Sequence, residues 1–466
     1  MKGPLLAWPG AASLKLSLPL SLLFLKIFVA VYGTASLLAA ARPERPRLYF
    51  DFELGLPFIP SLAAVYLTGG LALVATPFVL RTWREITPFF FTLTAETLLG
   101  GLCFLLMPVE QGYPPRDAAG FWGGLFRVAD TLNLDYNEVP SLHVTFAVTA
   151  ALVFGRRCGW LGRSLFAAWA VSVSVSTLFL HEHHLVDVAA GAALAVAAVA
   201  TVHRRASSEA FLDAIRIEAL CLREAALFSR RHLRYLTTAL ALYAFSLRRW
   251  RETRRLRAAW CLAQHVDDVL DGDRSVPGDP EAYARRVIQV LEGDMPDETA
   301  PAEVLAAFVR GSREPLIRLL EVLIEDRRRM DARRPMSAAE LAEHHRKTFF
   351  YSLDLTLILA GAKIRAGDAP ELIAALSWCS PVRDLREDLA KGLINIPAEV
   401  LAEAERDGED LLASPAVQAW LERERQRGSA AIRALGEKLP RIEDARGRAI
   451  LAAFHRALAS WERKRR

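Results

Sequence analysis

Hydrophobic residues are unevenly spread along this chain. From about residue 14 to residue 203 they come in long runs, and beyond that they recur every three or four positions among charges. Runs of roughly 17–25 apolar residues are long enough to cross a bilayer as helices. Six stretches qualify: about 16–40, 58–80, 88–107, 140–156, 161–180 and 184–202. Polar residues open the fourth. A connection at about 108–139, rich in Gly, Pro and aromatic residues ("QGYPPRDAAGFWGG"), separates it from the third. The early run "LKLSLPLSLLFLKIF" has the apolar centre of a signal peptide. Lys15 and Lys26 interrupt it and it continues to about Ala40, which predicts a first membrane helix instead.

From about residue 204 the pattern becomes amphipathic, as in "EAFLDAIRIEALCLREAALF", "LIRLLEVLIEDRRRM" and "ILAAFHRALASW". Apolar positions at helical spacing without strand-like alternation predict an all-α fold throughout. Two domains are expected: a six-helix membrane bundle at 14–203 and a soluble helical domain at 215–460. "DRSVPGDPEAY" and "GDMPDETAPAE" read as loops with helix starts, and "DRRRMDARR" as a solvated helix end.

Charge follows the same division. Of the 466 residues 52% are hydrophobic, and only 13 of the 58 Lys+Arg and 12 of the 53 Asp+Glu fall at or before residue 203. A net charge of +5 is too small to indicate a nucleic-acid partner. Five scattered cysteines without a CxxC indicate reduced thiols. With six crossings both ends lie on one side. Lys2, Arg81, Arg84, Arg156, Arg157, Arg163, Arg204 and Arg205 on that side outweigh Arg42, Arg45, Arg47, Arg116 and Arg127 on the other, so both termini are expected in the cytoplasm.

Candidate chemistry begins at "FLHEHHLVDVAAG". A zinc HExxH is ruled out because Leu185 stands where the second histidine would be. His183 and Asp187, four apart, would stack on one helix face. The carboxylate could then accept the imidazole Nδ1–H and leave Nε2 free to attack. "NEVPSLHVTF" places Ser141 and His143 at the start of the fourth crossing, on the same face as the turn between the fifth and sixth. Ser141, His143, His183 and Asp187 are expected to converge, with Arg116 beside them and His181 and His184 as bystanders. A nucleophile, an orienter, a general acid and a charge clamp suit phosphoryl transfer.

The segments "PSLH" (140–143) and "STLFLHEHHLVDVAAG" (176–191) resemble the type 2 phosphatidic acid phosphatase superfamily, and within it the inositol phosphorylceramide synthase-like branch. The resemblance covers about residues 14–203 and agrees with a six-helix fold. It implies that His183 forms a phosphohistidine, that Asp187 orients it and that His143 protonates the leaving group. Ser141 would help hold the phosphate of a lipid substrate, and no metal is expected. Thr177 stands where the superfamily carries an arginine, and Arg116 is the substitute clamp. The site would lie on the face away from the cytoplasm.

The second half carries "CLAQHVDDVLDGD" and, far downstream, "PVRDLREDLAKGLINIP". Carboxylates spaced four apart on two helices can hold several Mg²⁺ ions against a diphosphate. These motifs, with "LYAFSLRRWRETRRLRAAW" before the first, resemble the squalene/phytoene synthase family of class I isoprenoid enzymes over about residues 215–460. The resemblance implies a prenyl diphosphate substrate and Mg²⁺ held by Asp267, Asp271, Asp384 and Asp388, with Asp268 from the same motif also expected as a ligand. Arg383 and Lys391 would contact phosphate. Asn395 stands where that family has tyrosine, and without a Gly-rich dinucleotide loop the use of NADPH is left open. The expectation is a bifunctional membrane lipid enzyme. The alternatives are a transferase onto a lipid alcohol, or one active half anchored by the other.

Overall fold

The computed structural model describes residues 8–42, 44–134, 136–233, 236–407 and 410–464, and among these there is no strand. The chain divides into two compact units, Met1–Ala214 and Ile215–Arg466.

The first unit contains α1 (Ala11–Ala40), α2 (Ala63–Val79), α3 (Trp83–Leu106), α4 (Gly120–Leu132), α5 (Leu142–Gly155), α6 (Trp160–Phe179) and α7 (Leu185–Ala198). The last of these continues through a π-helical turn (Val199–His203) into α8 (Arg204–Ala206). Among the described residues five helical segments are long and apolar enough to cross a membrane: Ser13–Ala40, Pro60–Val79, Trp83–Leu106, Trp160–Phe179 and Leu185–Ala206. The fourth expected crossing is α5, which has 14 residues. At 1.5 Å per residue it spans roughly 21 Å, short of a hydrocarbon core of about 30 Å. Much of its surface is covered by other helices: Val144, Ala147, Ala150 and Phe154 are buried, and it packs on α6 and α7, while Leu152 is exposed. By contrast α1 and α6 turn Leu22, Val29, Leu37, Leu165 and Val171 outward, as lipid-facing helices do. Glu96 of α3, wholly buried, accepts a hydrogen bond from Thr149 of α5.

One close approach positions the site. A Cβ on Gly191 of α7 would stand 2.5 Å from the carbonyl oxygen of Ser141. With glycine there, the hydroxyl of Thr145 reaches both the Ser141 and Gly191 carbonyls, at 2.8 and 3.0 Å. The start of α5 and the first turns of α7 are therefore in backbone contact.

The second unit contains most of α9 (Glu209–Arg231), then α10 (Leu236–Ser246), α11 (Arg254–Leu270), α12 (Pro280–Glu292), α13 (Pro301–Val309), α14 (Arg313–Ala332) and α15 (Ala338–Leu359). It ends with α16 (Pro370–Lys391), α17 (Ala398–Asp407), α18 (Pro415–Lys438) and α19 (Ala445–Arg463). Leu262, Val266, Val287, Leu305 and Leu320 form one core, and Leu357, Leu372, Trp378, Leu435 and Leu451 another. The loop reading of "DRSVPGDPEAY" holds. Asp279 caps α12 by accepting from the Ala282 N–H, with Pro280 in the first turn. The reading of "DRRRMDARR" as a solvated end holds for Arg328 and for 331–334, which are exposed, and is corrected at Arg329. Arg329 is 2% exposed and donates to Asp326, to the Ile394 carbonyl and to Asn395. The inner face of α14 runs through the charged stretch, and Asp326 and Arg329, three apart, share that face.

Candidate functional site

The turn between α6 and α7 carries the predicted nucleophile. His183 precedes α7, whose N-cap is His184, so His183 and Asp187 do not stack on one helix as expected. Asp187 instead folds back from the first turn. Its Oδ2 accepts the His184 N–H at 2.7 Å and lies 3.5 Å from Nδ1 of His183. The Thr177 carbonyl accepts from the N–H groups of Glu182 and His183, which folds the turn onto the end of α6. His181 takes a left-handed φ of +60°, unusual for a side chain with a Cβ.

The two expected bystanders hold that conformation. The His181 ring stacks on Tyr113 at 4.2 Å, and its Nε2 lies 3.0 Å from the Leu56 carbonyl oxygen. His184 is sandwiched between Tyr113 and Tyr49, at 4.3 and 4.5 Å. Its Nε2 accepts the Gly112 N–H, so its proton sits on Nδ1, which donates to the buried Glu53 at 3.2 Å. Glu53 also accepts the Leu185 N–H.

Against this turn stands the start of α5. Ser141 is its N-cap: the side-chain oxygen accepts from the Val144 N–H at 3.4 Å, and the backbone N–H donates to the Asp187 carbonyl at 3.1 Å. His143, half-buried, lies in the first turn with Nδ1 3.0 Å from the Tyr66 hydroxyl, which leaves Nε2 as its available nitrogen. The His143 and His183 rings are 6.4 Å apart, centre to centre. The structure thus brings together Ser141, His143, His183 and Asp187.

It adds a residue that spacing did not reveal. Glu138, 2% exposed, places Oε2 3.4 Å from Nδ1 of His183. Burial pushes its carboxyl up to about 7, even with His183 beside it. Burial alone would lower the His183 imidazole, but the Asp187 and Glu138 carboxylates override it and raise it to about 10. Two residues before Pro140, in an otherwise unpatterned loop, an acid carries no sequence signal of this contact.

Arg116 approaches from the connection but does not reach His183 in this set of contacts. Its guanidinium donates to the Leu180 carbonyl, to Glu182 and to Asp130, at 2.6, 3.1 and 3.0 Å. Glu182 is otherwise bonded to Asn133. Removing Arg116 leaves a buried carboxylate short of its cation, which costs about 3–5 kcal/mol when a buried pair is broken. Arg116→Ala is therefore expected to lower thermal stability, and Arg116→Ala with Glu182→Gln to regain most of it. Unchanged stability with a raised KM would make Arg116 a substrate clamp instead.

In the second unit, the two acidic motifs meet. Lys391, in the last turn of α16, lies 2.8 Å from Asp273, 3.5 Å from Asp271 and 3.7 Å from Glu387. Burial raises the Asp271 carboxyl to about 6. Burial, with Asp384, Asp271 and Asp326 nearby, raises Asp388 to about 7 although it accepts from Asn395 at 2.9 Å. Burial and Asp271 raise Asp267 as well. Asp268 faces His232, which also lies 3.6 Å from Asp273, so that these three groups are close enough together to hold a cation. Successive helix positions are about 100° apart, and its carboxylate accepts from Arg231 and, at 3.0 Å, pairs with His232. Arg383 grips the neighbouring Asp384 with two hydrogen bonds, at 3.0 and 2.7 Å. Asp326 of α14 was not anticipated. It is paired with His344 and Arg329, at 2.8 and 2.7 Å, and the charge run around it hid its inward face.

No curated protein and no solved structure matches the chain. The family match stops short of the second unit. Residues 108–209, which carry Arg116, Glu138, Ser141, His143, His183 and Asp187, match the PAP2 superfamily.

Proposed function

We propose that the first unit is a membrane lipid phosphatase or phosphotransferase working through a phosphohistidine on His183. The observation that carries this reading is the pair of buried or half-buried imidazoles 6.4 Å apart: Nδ1 of His143 is bonded to Tyr66, and Nδ1 of His183 faces two carboxylates at 3.4 and 3.5 Å. Nε2 of His183 attacks phosphorus, and Nε2 of His143 gives its proton to the departing lipid oxygen. His143 then takes a proton from the acceptor as the acceptor attacks the phosphohistidine. Water as acceptor makes a phosphatase; a lipid alcohol makes a transferase of the inositol phosphorylceramide synthase type. The N-termini of α5 and α7 both begin here, and their backbone N–H groups favour a phosphate anion. The excess of arginine on one side supports cytoplasmic termini with this site on the opposite face.

A second reading adds Mg²⁺-dependent chemistry on a prenyl diphosphate in the second unit, favoured by the meeting of the two acidic motifs around Lys391. The donors are all oxygens, and carboxyls raised by burial and by one another are what a hard divalent cation neutralises. Asp267, Asp271, Asp384 and Asp388 would hold Mg²⁺, which would supply charge neutralisation for a diphosphate leaving group. Lys391 would contact the phosphates directly, as would Arg383 on release from Asp384. A reduced product would additionally require NADPH.

The test is product analysis of the full chain in detergent with phosphatidic acid and with farnesyl diphosphate plus Mg²⁺, each with and without EDTA. Phosphate release from phosphatidic acid is expected to survive EDTA; loss on chelation would overturn the phosphohistidine reading. A hydrocarbon from farnesyl diphosphate is expected to vanish with EDTA and in Asp267→Ala. Farnesyl diphosphate left intact with Mg²⁺ would overturn the second reading and leave the second unit as a scaffold.

A further inference from the structure

Two unpartnered groups face each other in the interior of the first unit. Nδ1 of His183 and Oε2 of Glu138 are both buried and neither has a hydrogen-bond partner, yet they are 3.4 Å apart. The other carboxylate near this nitrogen is already employed. Oδ2 of Asp187 accepts the His184 N–H at 2.7 Å, closing the first turn of α7, and stands 3.5 Å from Nδ1. Asp187 is thus shared between a helix cap and the imidazole, whereas this oxygen of Glu138 has the imidazole alone. A buried carboxylate oxygen without a partner is costly, which makes its placement here informative.

We propose that Glu138 is a positioning residue for the nucleophile: with Asp187 it holds the proton on Nδ1 of His183 and offsets the positive charge that the ring gains in the reaction. This rests on the phosphohistidine reading and deepens it. In the first half-reaction the neutral ring, protonated at Nδ1, forms the Nε2–P bond. The P–O bond to the lipid breaks, and the departing oxygen takes its proton from His143. The ring is now a phosphoimidazolium, with its Nδ1–H between two carboxylates. In the second half-reaction the acceptor gives its proton to His143, the Nε2–P bond breaks, and the ring returns to neutral.

The groups facing His183 are Glu138 from the connection, Asp187 from α7, His143 from α5, and its own neighbours Glu182 and His184, with Arg116 behind Glu182. Among them only the two carboxylates reach Nδ1. Removing the Glu138 charge should therefore make the imidazole less basic. Since a proton on Nε2 blocks attack, the acid limb of the pH profile should move to lower pH.

The test uses the full chain in detergent, with Glu138→Gln as the near-isosteric neutral variant and Glu138→Asp as the charge-retaining one. The His183 ring is titrated by ¹⁵N NMR, and phosphate release from phosphatidic acid micelles is measured across pH. In Glu138→Gln the ring titration and the acid limb of kcat/KM should both fall by about one pH unit, a tenfold change in proton affinity. The plateau kcat should also drop, with KM held. Glu138→Asp should recover the wild-type limb. An unchanged His183 titration in a Glu138→Gln protein of wild-type thermal stability would overturn the proposal and leave Glu138 a packing residue. Absence of phosphate release from the wild type would count against the phosphohistidine reading instead, because the ring titration reads Glu138 without turnover.

Discussion

Replacing His183 with glutamine is expected to reduce phosphate release by a factor on the order of 10³–10⁶, the range seen when a covalent nucleophile is removed. The full chain in detergent, assayed with phosphatidic acid, would read it. Nε2 is the proposed attacking atom, since the other ring nitrogen faces the carboxylates of Glu138 and Asp187 at 3.4 and 3.5 Å. The neighbouring histidines cannot substitute. His184 has both nitrogens bonded, to Gly112 and Glu53, and His181 is stacked on Tyr113 with Nε2 against Leu56. Glutamine keeps a polar group of similar reach, so the turn should stay folded. Trapping of ³²P on the wild-type protein after acid-free quenching, absent from His183→Gln, would separate a phosphohistidine from direct hydrolysis. A variant with near-wild-type turnover would end the assignment of His183 as nucleophile.

The second large effect is expected at His143. His143→Gln should cost roughly 10²–10⁴ in kcat on a lipid phosphate, the usual worth of a positioned general acid. The loss should depend on the leaving group. An alkoxide from a lipid needs a proton as the P–O bond breaks, whereas para-nitrophenolate leaves without one. With para-nitrophenyl phosphate the first half-reaction of the variant should therefore be close to wild type, measured as the burst of nitrophenol. Tyr66→Phe should give a milder version of the same pattern, because the tyrosine hydroxyl fixes the His143 ring through Nδ1 at 3.0 Å. Equal losses on both substrates would make His143 a binding group rather than an acid.

How much was legible depended on whether a feature is local. The all-α character and the placing of most apolar helices could be read directly, because a 3.6-residue repeat and a bilayer-length run are properties of consecutive residues. The length of α5 could not. Its apolar pattern continues that of a crossing, but its 14 residues end in contact with other helices, and no local signal says whether lipid or protein will surround it. The histidine turn was half legible. The identity of His183, Asp187 and His143 stood out by residue type, but a four-residue spacing was read as a helix where the chain in fact makes a turn closed by an Asp187 cap.

The sequence by itself determined which chemistry-bearing residue types this protein has and that those of the first unit lie near helix starts and the acidic motifs of the second near helix ends, since capping residues, apolar periods and acidic motifs are written in order along the chain. Tertiary structure alone decided who touches whom. The Gly191–Ser141 contact brings α7 to α5, the Tyr113 stack fixes the turn, and Glu138 meets His183 across 45 positions of chain. It also turned Asp268 toward Arg231 and His232 and buried Arg329 beside Asp326. The physical reason is that a charge in a buried site acquires its meaning from its partner. Partners within 4 Å in space but far apart along the chain are chosen by packing, which no local pattern encodes.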